Sequence, residues 1–275
     1  MRIERRSALR SIVLPVLSKV NPGDVSVRHA FTGDRIRLHS FKHRGYWYRA
    51  GSREKLTMSL FSRLIQPGDT VVEAGGHVGF ISNYFAHLVG PGGVVLVFEP
   101  GPNNLPYMTA NTRTLDQVQV IDKAIGEANG SLSFFIEDLT GQNNSLIKDY
   151  QALEQNSKSA HVKAEYHEII VDVVRLDDYL TENAILPDWI KIDIEGAEWE
   201  ALQGALATLD AAPALMVEIT RKAESVTRLL ASKGYVLFTP DLAKLEDGHT
   251  TPGNVFGLHR DKHSNWIRGL GISSG

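Results

Sequence analysis

Carboxylates at the ends of apolar runs hold the chemistry of this chain. Glu73 closes Thr70-Val71-Val72 and leads into Ala74-Gly75-Gly76-His77-Val78-Gly79. Glu99 closes Val94-Val95-Leu96-Val97-Phe98, and Glu218 closes Ala214-Leu215-Met216-Val217. Asp193, Glu195 and Glu198 follow Trp189-Ile190-Lys191-Ile192. A strand, a glycine turn with Gly75, Gly76 and Gly79, and a helix N-terminus together form the place where α/β proteins cradle nucleotide-like ligands. An acid at the end of the next strand accepts hydrogen bonds from ribose hydroxyls, the role expected of Glu99. Asp193 and Glu218 end neighbouring strands and should face the same crevice. As catalytic residues they would supply a general base, or they would hold Mg²⁺ through hard oxygen ligands.

Glu73 discriminates between ligands. A carboxylate under the turn repels a pyrophosphate but suits a ligand carrying an ammonium and a sulfonium, as S-adenosylmethionine does. A capping role for Glu73 stays open beside this one. His77 either hydrogen-bonds the cofactor's carboxylate or points outward. Glu195 and Glu198 also suit a plainer role, as acids in the first turn of a helix.

These residues need a scaffold, and the pattern supplies one. Strands are expected over 70–73, 94–98, 118–121, 131–136, 166–174, 189–193, 214–219, 235–238 and 255–258. Helices are expected over 52–64, 78–88, 102–112, 197–209 and 222–233. Leu56, Leu60, Phe61 and Leu64 mark the buried side of the first helix. The alternation implies an α/β fold with a mostly parallel sheet and helices on both faces. Short strands or a hairpin are expected over 28–50. Residues 137–165 break the pattern with polar turn chemistry, which reads either as a substrate lid, with Asn143, Asn144 and Ser145 as substrate contacts, or as a solvated insertion.

The chain's 275 residues suffice for one large domain and its core. It has no cysteine, which excludes disulfides, thiolate metal sites and a cysteine nucleophile. Residues 1–55 hold 13 Lys or Arg against 4 Asp or Glu, whereas the whole chain holds 29 against 32. Such a basic layer would pair with the acidic body. Residues 1–20 read as an amphipathic capping helix, and peripheral membrane contact through the basic N-terminus stays open. Nucleic acid is not an expected partner, because the basic residues are not interleaved with a recognition motif. No stretch is long and apolar enough to cross a bilayer, and a cytoplasmic location is the default expectation.

The Glu73–Gly79 turn, Val97-Phe98-Glu99-Pro100, Arg175-Leu176-Asp177-Asp178 and above all Lys191-Ile192-Asp193-Ile194-Glu195-Gly196-Ala197-Glu198 resemble the FkbM-type S-adenosylmethionine-dependent methyltransferases. The resemblance runs from Trp47 to His259. Two positions depart from it, since the family usually has Asp where Glu73 stands and Asn where His77 stands. The resemblance implies a Rossmann-like class I methyltransferase fold with an N-terminal helical or hairpin extension. It also implies methyl transfer to a hydroxyl of a sugar, glycolipid, glycan or polyketide-type small molecule. Glu73, Gly75, Gly76, His77 and Gly79 would then surround the cofactor's amino-acid end, and Glu99 its ribose. Asp122 and Ala124 would lie near its adenine, and Asp193 beside the methyl group. The expected organisation is a basic extension over 1–55, a methyltransferase domain over 56–260 and a tail over 261–275. A non-catalytic cofactor-binding scaffold and an NAD-dependent oxidoreductase are the competing classes.

Overall fold

The computed structural model describes residues 23–48, 54–137, 140–147, 166–246 and 253–272. The helix expected over 1–20 and most of the expected lid lie outside the described residues. Two short runs of alternating burial pair as an antiparallel hairpin, β1 (Asp24–Arg28) and β2 (Arg35–His39). A short helix follows, α1 (Arg44–Tyr48). Polar latches tie this layer to the body. Asn111 accepts the Arg37 N–H at 2.6 Å and donates to Arg37 O at 3.0 Å and Val78 O at 2.8 Å. His29 Nε2 donates to Phe80 O at 2.9 Å, since a carbonyl can only accept. Arg37 pairs with Asp24 of the same layer, not with the acidic body.

Helix α2 (Lys55–Leu64) buries Met58, Leu60, Phe61 and Leu64. Leu56, in the first turn, is instead 56% exposed. Strand and helix then alternate through β3 (Thr70–Ala74), α3 (Phe80–Val89), β4 (Val94–Phe98), α4 (Leu105–Thr112) and β5 (Val118–Ile121). Helix α3 starts at Phe80, two residues later than expected, because Gly79 at φ 79° is its left-handed N-cap.

The next three strands depart from expectation. β6 (Ala124–Gly126), β7 (Gly130–Glu137) and β8 (Tyr166–Arg175) form their own sheet in the order β6-β8-β7, with β7 and β8 antiparallel. Their alternating exposure marks one solvated face, which suits an antiparallel pair rather than a sheet covered on both sides. An unexpected helix, α5 (Leu176–Glu182), follows β8 directly.

The rest runs β9 (Trp189–Ile192), α6 (Glu198–Gln203), α7 (Leu206–Asp210), β10 (Ala214–Ile219), α8 (Ala223–Ser232), β11 (Tyr235–Phe238), β12 (Gly253–His259) and α9 (Ser264–Leu270). The single helix expected over 197–209 breaks at Gly204, where an added Cβ would fall 2.1 Å from Gly126 O. The expected tail carries α9 instead, with Ile267 2% exposed in the core.

The main sheet has the order β11-β12-β10-β9-β3-β4-β5. It is parallel from β10 to β5, and β12 is antiparallel to both its neighbours. Helices α2 and α3 cover one face around Phe61 and Phe85, and α5, α6, α7 and α8 cover the other around Leu180, Leu202, Leu209 and Val226. This is the expected doubly covered α/β fold. Strand order reverses beside β3, where β4 lies on one side and β9 on the other, so a ligand crevice belongs beyond the carboxyl ends of these strands.

Candidate active site

A cleft of about 890 Å³, counting its open mouth, lies at that switch point. Its tightest geometry is at the glycine turn. Gly75, at φ 83°, packs so close to β9 that a Cβ there would fall 1.8 Å from the Asp193 carbonyl oxygen. Beneath the turn Glu73 is 0% exposed. It accepts Ser82 Oγ at 2.6 Å and lies 3.4 Å from Lys191 Nζ. Lys191 also donates to Gly75 O at 3.0 Å and stands 3.3 Å from Asp193. Burial favours a neutral Lys191, but Asp193 and Glu73 outweigh it and hold the ammonium charged with a raised pKa. Burial likewise pushes Glu73 up against the pull of Lys191. The main cleft is therefore not lined by Glu73, which borders a smaller annex of about 420 Å³ together with Gly76 and Lys191.

Glu99 ends β4 on the cleft wall, where it is 4% exposed. Burial pushes its carboxyl up to about 7, against three donors: Gly101 N–H at 2.8 Å, His77 N–H at 2.7 Å and Asn104 Nδ2 at 3.2 Å. A carboxylate offers about four lone-pair sites, so room is left for a ligand hydroxyl. His77 lines the cleft, and both of its ring nitrogens meet protein partners. Its ring lies between Tyr46 Oη, 2.8 Å from Nδ1, and Thr140 O, 3.2 Å from Nε2. Because the Thr140 carbonyl can only accept, Nε2 carries the proton and Nδ1 accepts from Tyr46.

Across the cleft, Asp193, Glu195 and Glu218 bring carboxylate oxygens within 4.8 Å of one another. Glu195 is not in a helix first turn, since α6 begins only at Glu198. It sits in a left-handed turn at φ 54° and lines the cleft. Glu198 does take the plainer role: it is 0% exposed and accepts Gly196 N–H at 2.7 Å and Thr220 Oγ1 at 2.9 Å. Burial, then the Asp193 charge, pushes Glu195 up to about 8. The Asp193 charge, then burial, pushes Glu218 up to about 10.

Both carboxyls bind their protons more tightly folded than unfolded. The stability they contribute is full below the ordinary glutamate pKa and is lost as pH rises through about 8 and about 10. Glu218→Gln should therefore melt closer to its neutral-pH temperature near pH 10 than the unsubstituted protein does, as thermal denaturation at the two pH values would show.

The other expected residues divide. Ala124 lines the cleft with Ile125, whereas Asp122 is exposed and off the lining. Asn144 lines it, held by Glu137 N–H at 3.0 Å and by Asn103 Oδ1 at 2.7 Å. Asn143 stands off the lining, and Ser145 is a buried anchor whose hydroxyl donates to Glu195 O at 2.7 Å. Gly76 and Gly79 shape the turn from behind the main cleft. Residues missed from the sequence are Tyr46, Glu54, Asn104 and Asn254, which all line the cleft. A polar residue opening a helix after Glu99 could have pointed to Asn104. The others come from distant segments with no motif.

The family model for the methyltransferase FkbM domain matches residues 73–237, more than half of the chain. The chain belongs to the FkbM methyltransferase family. Methyltransferase 1 of Beauveria bassiana (strain ARSEF 2860) is 31% identical over 148 residues, covering 50% of this chain and 59% of that protein. The 31-O-demethyl-FK506 methyltransferase FkbM of Streptomyces tacrolimicus is 30% identical over 159 residues, covering 51% and 60%. The 2-O-methyltransferase NoeI of Sinorhizobium fredii (strain NBRC 101917 / NGR234) is 25% identical over 162 residues, covering 56% and 65%. The chain thus spans 59% to 65% of the length of these curated relatives. The FkbM domain supplies Glu73, Glu99, Asp193, Glu195 and Glu218, while Tyr46 and Glu54 reach the cleft from before it and Asn254 from after it.

Proposed function

We propose that this chain is an S-adenosylmethionine-dependent O-methyltransferase acting on a hydroxyl of a sugar, glycolipid or polyketide-type molecule. The observation that carries the reading is the lining of the cleft, rich in carboxyls and without a cation. Among the described residues its wall holds Glu54, Glu99, Asp193, Glu195 and Glu218 but no Lys or Arg. Such a wall gives a dinucleotide's pyrophosphate no counter-charge, whereas an ammonium or sulfonium favours the ionised form of the carboxyls it meets. It counts against the oxidoreductase class. Glu99 would take the ribose hydroxyls, Ala124, Ile125 and Phe134 the flat base, and the annex by Gly76 the amino-acid end. The names of the FkbM and NoeI relatives support oxygen as the acceptor atom.

The bound cofactor would supply a methyl group on a cationic sulfur. The chain's part is to position the acceptor and take its proton. Positioning alone is worth effective molarities on the order of 10⁵–10⁸ M. Lys191, 3.3 Å from Asp193, stabilises the charge of that carboxylate, while Glu218 holds a proton at neutral pH. Asp193 is the base that receives the hydroxyl proton in this reading. The three clustered acids are also a hard-oxygen set of the kind that holds Mg²⁺. Transfer of label from methyl-labelled cofactor to a panel of sugar and macrolide hydroxyls, with and without EDTA, tests both points. Transfer that persists in EDTA assigns the acids to proton handling, and transfer that needs Mg²⁺ makes them a metal site. Cofactor binding with no transfer to any acceptor would favour the scaffold class.

A further inference from the structure

We infer that Tyr46, outside the FkbM domain, is a positioning residue of the nucleoside site that acts through His77 on Glu99. The inference rests on the proposed cofactor reading and extends it to a residue that precedes the matched segment. Glu99 Oε2 is held by the backbone N–H of His77 at 2.7 Å. His77 makes this bond from the left-handed region, at φ 50°, a conformation that a non-glycine residue holds only where its surroundings fix it. The imidazole is fixed at both ends, by the Tyr46 hydroxyl and the Thr140 carbonyl. The Tyr46 and His77 rings stack at 5.6 Å and 27°, and the buried His43 ring meets His77 edge-on at 5.4 Å. Tyr46 is itself 9% exposed on α1, the layer latched to the same turn through Asn111 and His29. The clamp thus joins the N-terminal layer, the glycine turn and the 140–147 segment at one imidazole, whose own amide sets the ribose carboxylate.

The test is titration of S-adenosylhomocysteine into the full chain and its Tyr46→Phe, His77→Gly and doubly substituted forms. Glycine keeps the amide and tolerates the positive φ, so His77→Gly removes the ring and its clamp while leaving the N–H that Glu99 accepts. Loss of one hydrogen bond predicts about a three- to tenfold weaker Kd for Tyr46→Phe. The double variant should bind no more weakly than His77→Gly, because both changes break one chain of contacts. The penalty should also vanish for the 2′,3′-dideoxy ligand, which has no hydroxyls for Glu99. Unchanged binding by Tyr46→Phe, a double variant whose losses multiply, or a penalty that persists for the dideoxy ligand overturns the inference. So does a weaker Kd that comes only with a lower melting temperature, since that marks a merely structural role. Failure of the unsubstituted chain to bind S-adenosylhomocysteine is a different result and overturns the cofactor reading itself.

Discussion

Asp193→Asn is expected to lower methyl-transfer turnover by about 10²–10⁴-fold, the range a positioned base contributes. Asparagine fills the same space and still meets Lys191, yet it cannot take the acceptor's proton as the oxygen attacks. The affinity for S-adenosylhomocysteine should stay within a few-fold, because Glu99 and the glycine turn are untouched. The split between turnover and binding is the informative part. Equal losses in both would place Asp193 in cofactor binding, and near-normal turnover would remove it from the chemistry. Glu195 and Glu218 would then be the remaining carboxyls of the three-acid cluster, both with raised pKa values.

Lys191→Met is expected to be the most destabilising single change at the site. Lys191 and Glu73 are each buried to within 1% on their side chains, and the substitution strands Glu73 without its counter-ion. Breaking a buried pair from one side costs about 3–5 kcal/mol. At roughly 2–4 °C per kcal/mol for a domain of this size, the melting temperature should fall by about 10 °C. The defect should shrink in acid, because protonating Glu73 removes the charge that Lys191 neutralises. Adding Glu73→Gln should restore part of the loss at neutral pH. A melting temperature unchanged by Lys191→Met would contradict the ion pair as a structural element.

The parallel sheet was legible because its strands are continuous apolar runs, as strands covered on both faces must be. The acids were legible for a related reason: a carboxylate that ends such a run has the crevice as its natural place. Burial beneath the turn was not legible for Glu73, since its partner Lys191 lies on a strand far along the chain. Glu195 looked like a helix first-turn acid because nothing local announces the left-handed turn that aims it into the cleft. His77 stood out by its place among glycines, but its partners Tyr46 and Thr140 come from segments without motifs. The break at Gly204 depends on contact with Gly126 in another sheet, a tertiary fact that overrides a continuous helical pattern. Ser145 illustrates the reverse case, where turn chemistry that suggested a substrate contact serves to anchor the loop to Glu195.

The most direct measurement is isothermal titration of the purified chain with S-adenosylhomocysteine and, separately, with NAD. Binding of the first alone, lost in Glu99→Ala, is the result expected of an acid-walled nucleoside cleft. Binding of NAD in its place would contradict the assignment of this cleft to a sulfonium cofactor.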